Sequence, residues 1–256
     1  MMPTAARFMK LSAANRMSKI KRTLITFAIW LGAQIIALLV FPKEMIAPMV
    51  FASDAAVIMA LWSIKYFKTA ELVKRVPLKV FIASLVLGYA ALYSVEIIQG
   101  QFDIPDLLDD TFDILVHSVW GFFAVCLVGP VMEEVMMRRV VLTEISEATG
   151  RKWLGIIISA VLFAVMHGNP IQIVFAIPAG ILLGWLYCIT GSLLVPIGVH
   201  IMNNTASFIA LRAGDDEPLD ISDPYTIITL TAAVLVTVSL TVWMVGYYRR
   251  RQVTEQ

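Results

Sequence analysis

Residues 112–147 read FDILVHSVWGFFAVCLVGPVMEEVMMRRVVLTEISE, an apolar run that meets a proline at 130 and then two glutamates and two arginines. The apolar positions are continuous from Val119 to Met132 instead of alternating every second residue, so the segment reads as a helix and not a strand. A hydrocarbon core about 30 Å thick needs about 20 apolar residues per helix, and this stretch is too long for one simple crossing. Proline removes a backbone donor and suits a first helical turn or a kink. A break or bend is therefore expected at Gly129-Pro130, just before the glutamates.

The rest of the chain explains why the segment is apolar. Of 256 residues, 59% are hydrophobic and 15% charged, and the mean hydropathy is +0.81, so the solvent is lipid and not water. Candidate spans fall at 23–41, 46–66, 80–98, 114–132 with a continuation to 147, 153–167, 171–189, 193–210 and 225–247. The expected fold is an all-α, polytopic membrane bundle of about eight transmembrane helices forming one domain. Basic residues precede the first span, and no small-residue cleavage site follows it, so it reads as uncleaved. Cys126 and Cys188 sit in apolar runs without metal or disulfide spacing and read as core side chains. Nothing in the charge pattern suggests nucleic acid.

Cytoplasmic connections carry the excess of lysine and arginine. With the N-terminus inside, 18 of the 20 such residues fall on that side, leaving Lys43 and Arg212 outside among acidic loops that include Asp103, Asp106, Asp109, Asp110, Asp215, Asp216, Glu217 and Asp220. The inside set includes Lys65, Lys68, Arg138 and Arg139. Both termini are then cytoplasmic, in keeping with an even number of spans and an inner, plasma-membrane location.

Ionisable groups at membrane depth are costly unless paired or hydrated, so each is a candidate for function. Glu134 and Arg138 are four apart, share a helical face and can pair, while Glu133 points about 100° away. The same charges could instead form a solvated helix end at the headgroups. Phe163 and His167 are likewise four apart, though a lone histidine there also suits a structural hydrogen bond. His200 and Asn204 share a face and can both donate into one pocket, or bond helix to helix. Counted from the turn between Glu147 and Trp153, Glu133 and His167 both lie roughly 21 Å deep, whereas His200 and Asn204 lie roughly 10 to 16 Å from the turn at Thr190-Gly191-Ser192.

Taken in order, EExxxR at 133–138, FxxxH at 163–167 and HxxxN at 200–204 resemble the CAAX protease and bacteriocin-processing (CPBP, or Abi) family of intramembrane glutamic endopeptidases. The joining residues Gly180, Gly184, Thr190-Gly191-Ser192 and Pro196 resemble it as well. The resemblance implies a catalytic core over 111–210, between a basic tail (1–22) with N-terminal helices (23–110) and a last loop, span and tail (211–256). It also implies that Glu133 activates a water with His167, that His200 and Asn204 form an oxyanion hole, and that Glu134, Arg138 and Phe163 support the site. The substrate would be a membrane-associated peptide or protein, with no cofactor. Family members often carry glycine after the motif arginine, and Arg139 stands there in this chain.

Other readings are weaker. A zinc site would need His117, His167 and His200, but no HExxH pair is present and His117 falls toward the opposite face. A non-catalytic scaffold or immunity protein would be expected to lose a motif position, and a transporter to show paired broken helices. His117 is expected to pair near the outer face with Asp113, Asp54 and Glu96 to be solvated at span ends, and Gly180 and Gly184 to mark a close helix contact.

Overall fold

In the computed structural model, which describes residues 13–63, 74–214 and 219–254, Pro130 lies inside an unbroken helix. This helix, α5 (Val119–Thr149), passes through two π-helical stretches, Phe123–Val128 and Val135–Leu142. The Gly129 amide donates to Ala124 O, five residues back. The next bond in that register would run from residue 130 to Val125 O, and proline has no N–H to give. Of the break or bend expected there, a break does not occur and the helix widens locally instead, because in lipid a true break would strand several backbone groups at once. The crossing also begins five residues later than expected, since Asp109–Val116 forms a separate short helix, α4.

The other helices are α1 (Ala13–Val40), α2 (Lys43–Ser63), α3 (Leu78–Gln99), α6 (Lys152–Val165), α7 (Pro170–Thr190), α8 (Leu194–Ala213) and α9 (Pro224–Thr254). Among the described residues six helices are long and apolar enough to cross a membrane, namely α2, α3, α5, α7, α8 and α9, and Thr23–Ile36 of α1 and all of α6 are shorter apolar helices. These eight occupy the eight expected spans, and the chain is an integral membrane protein with a polytopic helical bundle. No strand occurs among the described residues. Of the residues in the charge count, Lys65, Lys68, Asp215, Asp216 and Glu217, with Arg7 and Lys10 of the basic tail, lie outside the described residues.

Two apolar clusters organise the bundle. In one, Trp30 of α1 and Leu61 of α2 join Met132, Val135, Met136 and Val140 of α5 with Phe163 of α6. In the other, Val80 and Leu87 of α3 join Leu183 and Leu186 of α7, Val199 of α8 and Met244 of α9. Helix α7 packs most closely on α6. A Cβ on Gly180 would lie 2.8 Å from Ala160 Cα, so the small residue is required there, as expected. Ile228, Leu235, Val238 and Val242 on α9 are exposed and would face lipid.

Candidate active site

Helix α6 stops at Val165, and His167 lies in the following turn instead of on the helix. Gly168 adopts a left-handed φ of 64°, and Pro170 opens α7, a combination that ends one helix and starts the next. The His167 ring still folds back, with Nδ1 2.7 Å from Phe163 O. A carbonyl can only accept, so Nδ1 carries the proton and Nε2 is the basic nitrogen of the neutral ring.

Phe163 is the hub. Its ring meets the His167 ring edge-on at 4.9 Å and the His200 ring edge-on at 5.6 Å, and the Arg138 guanidinium lies 5.1 Å over it. One side chain thus fixes members of all three motifs through aromatic and cation–π contacts.

Both glutamates converge on His200. Its Nδ1 is 2.8 Å from Glu134 Oε1, and its Nε2 is 3.5 Å from Glu133 Oε2. Glu134 also pairs with Arg138 through Oε2 and Nε at 3.0 Å, both side chains being fully buried. That contact is an ion pair without hydrogen-bond alignment, and Arg138 Nη1 is buried without a hydrogen-bond partner. Arg138 Nη2 reaches Gly180 O at 3.4 Å. The solvated helix end is therefore excluded for Glu134 and Arg138, and Arg138 does not belong among the cytoplasmic charges where the sequence count put it. Glu133 differs, since its side chain keeps 21% exposure.

The depth count placed His200 shallower than Glu133, yet they meet. The eight π-helical residues Val135–Leu142 shorten α5 only slightly, so the count fails mainly because it takes both helices as straight and parallel to the membrane normal. Asn204 is placed differently from Glu133 and His200: its Nδ2 donates to Val125 O at 3.0 Å. This is the carbonyl that Pro130 leaves without a backbone donor, so the side chain of α8 completes the hydrogen bonding of α5. Cys126 Sγ to Asn204 O, at 3.7 Å, adds a second link.

His117 is exposed and pairs with Asp113, as expected, with Nδ1 2.8 Å from its carbonyl and 3.5 Å from Oδ1. Among the described residues no three His, Cys, Asp or Glu side chains are grouped to hold a metal ion. Both cysteines are free thiols. Arg139 is half-buried, and the close approach of α5 to α6 is made elsewhere: a Cβ on Gly155 would lie 2.7 Å from Leu142 O. Glu96 is exposed near the end of α3, as expected.

Asp54 departs from expectation. It is 3% exposed, midway along α2, with Oδ1 accepting from Trp30 Nε1 at 2.9 Å and from Gln34 Nε2. The spacing of Trp30 and Gln34, four apart on α1, was the available signal.

The interior of this polytopic membrane bundle thus brings the carboxylates and guanidinium of α5 together with the His200 imidazole of α8, beside Phe163 of α6. Residues 115–206 match the family described as type II CAAX prenyl endopeptidase, Rce1-like, in agreement with the motif resemblance, and the matched segment contains all three motifs. A 79-residue stretch is 32% identical to the Bacillus subtilis (strain 168) protein described as "Putative membrane peptidase YdiL", covering 31% of this chain and 32% of that protein. The chain thus spans about a third of the length of this curated relative. No solved structure matches.

Proposed function

We propose that the protein is an intramembrane endopeptidase that hydrolyses a peptide bond of a membrane-associated peptide or protein, with Glu133 as the base that activates water. The observation that carries this reading is the seating of Glu133 and Glu134 on opposite nitrogens of His200, with Phe163 holding both imidazoles. The family match over the same residues supports it.

In this reading Glu133 takes a proton from water as the oxygen adds to the scissile carbonyl, and then returns that proton to the leaving amine. His167, with its basic Nε2, holds the water with Glu133. Glu134, fixed by Arg138, accepts from His200 Nδ1 and orients the ring. With Nδ1 donating to Glu134, His200 serves as an oxyanion donor through Nε2 in its doubly protonated form. Asn204 supplies its remaining amide proton to the same oxyanion.

The reading is metal-independent. The Arg138 cation stands beside the glutamates and opposes a second cation. Hydrolysis is assigned to the cytoplasmic half of the membrane with both termini inside, following the lysine and arginine distribution.

The test compares membrane-derived peptides from cells carrying the wild-type protein and cells carrying Glu133→Gln. A product seen only with wild type identifies reaction and substrate together. Identical peptide sets would leave the fold serving as a non-catalytic scaffold.

A further inference from the structure

Residues 74–79 (KRVPLK) and 243–254 (WMVGYYRRRQVT) carry six lysines and arginines and no acid, and both lie outside the segment that matches the peptidase family. The two segments meet, since α9 packs on α3 and Met244 shares a cluster with Val80. Lys74, Arg75, Lys79 and Arg249 are exposed. Two of the cations lie against one ring: Lys79 Nζ is 5.0 Å over Tyr247, and the Arg251 guanidinium is 5.9 Å over it. Trp243 stacks on the same ring at 5.5 Å, and Tyr248 meets it edge-on at 5.3 Å. The ring thus draws one cation from each helix to itself, against their mutual repulsion.

We propose that the junction of α3 and α9 binds the phosphate of an anionic phospholipid, with Lys79 and Arg251 as its ligands and Tyr247 as the platform that sets their spacing. One phosphate group can bridge two cations held on a single ring, and it offsets their repulsion. The surroundings select a lipid over a soluble phosphate. Trp243, Tyr247 and Tyr248 follow the lipid-facing run of α9 and precede its three arginines, the order of an aromatic belt at headgroup depth. Leu78, beside Lys79, is 71% exposed and Val242, beside Trp243, is 67% exposed, apolar side chains that acyl chains would cover. A headgroup there ties α9 to α3, its main neighbour in the bundle. The site is independent of the hydrolytic reading.

The test is native mass spectrometry of the full-length protein in detergent, titrated with phosphatidylglycerol and, separately, with phosphatidylcholine. Wild type should retain one phosphatidylglycerol in preference to phosphatidylcholine. Lys79→Gln and Arg251→Gln should each weaken that retention about fivefold. Arg151→Gln, which removes an exposed cation at the start of α6, should leave it unchanged. Equal losses in all three variants would mean attraction to the charged surface at large and would overturn the proposal.

Variants of Tyr247 separate a built site from diffuse attraction, because they change no charge. Tyr247→Phe keeps the ring and should retain the lipid as wild type does, while Tyr247→Leu removes the platform and should release it. Retention by Tyr247→Leu equal to wild type overturns the proposal. Retention of inorganic phosphate in place of phosphatidylglycerol, when both are offered at equal concentration, would assign the site to a free anion and overturn the lipid as its occupant.

Discussion

Glu133 and Glu134 are neighbours in the chain with unlike surroundings, and their variants should fail in unlike ways. Glu134 is closed between Arg138 and His200, so Glu134→Gln or Arg138→Leu leaves a partner charge buried and unpaired. Either should lower stability by about 3–5 kcal/mol, read as an earlier unfolding transition in detergent. Glu133 keeps partial exposure and a longer contact with His200. Glu133→Gln should therefore unfold within about 1 kcal/mol of wild type while cleavage is lost. A Glu133→Gln variant as unstable as Glu134→Gln would mean that the two glutamates share one structural role.

Pro130 and Asn204 form a pair across α5 and α8 that explains itself only in three dimensions. Asn204→Ala strands Val125 O and should destabilise by about 1–3 kcal/mol. Pro130→Ala restores a backbone donor, so it should recover much of that loss in the double variant, a coupling that a double-mutant cycle of unfolding midpoints measures directly. Additive effects would show that the two residues act separately.

The helices, the EExxxR ion pair and the Gly180 contact were legible in the sequence, because each depends on neighbours within one helix or on local size. The continuity of α5 through Pro130 was not, since the donor that replaces the missing N–H comes from residue 204. His167 was placed on a helix by its four-residue spacing from Phe163, although the Gly168-Asn169-Pro170 run already signalled a stop. Asp54 was read as solvated because its two donors stand on another helix.

The bundle joins two clusters through α7, and the polar centre lies where α5 and α6 of one cluster meet α8 of the other. The orientation proposed for it, with both termini cytoplasmic, rests on the charge distribution. Thr149→Cys and Ala213→Cys, introduced at exposed positions after replacing Cys126 and Cys188, should label from opposite sides with an impermeant maleimide, position 149 from the cytoplasm. Labelling of both from one side would contradict the topology. Chelation should leave cleavage unchanged, and a loss restored by added zinc would overturn the metal-independent reading.

Whether one carboxylate at the meeting point of three helices activates water is settled most directly by purified enzyme acting on the peptide that wild-type cells cleave. Wild type and Glu133→Gln should bind that peptide alike, while the variant turns over about 10²- to 10⁴-fold more slowly. Equal turnover by a folded Glu133→Gln protein would contradict the account.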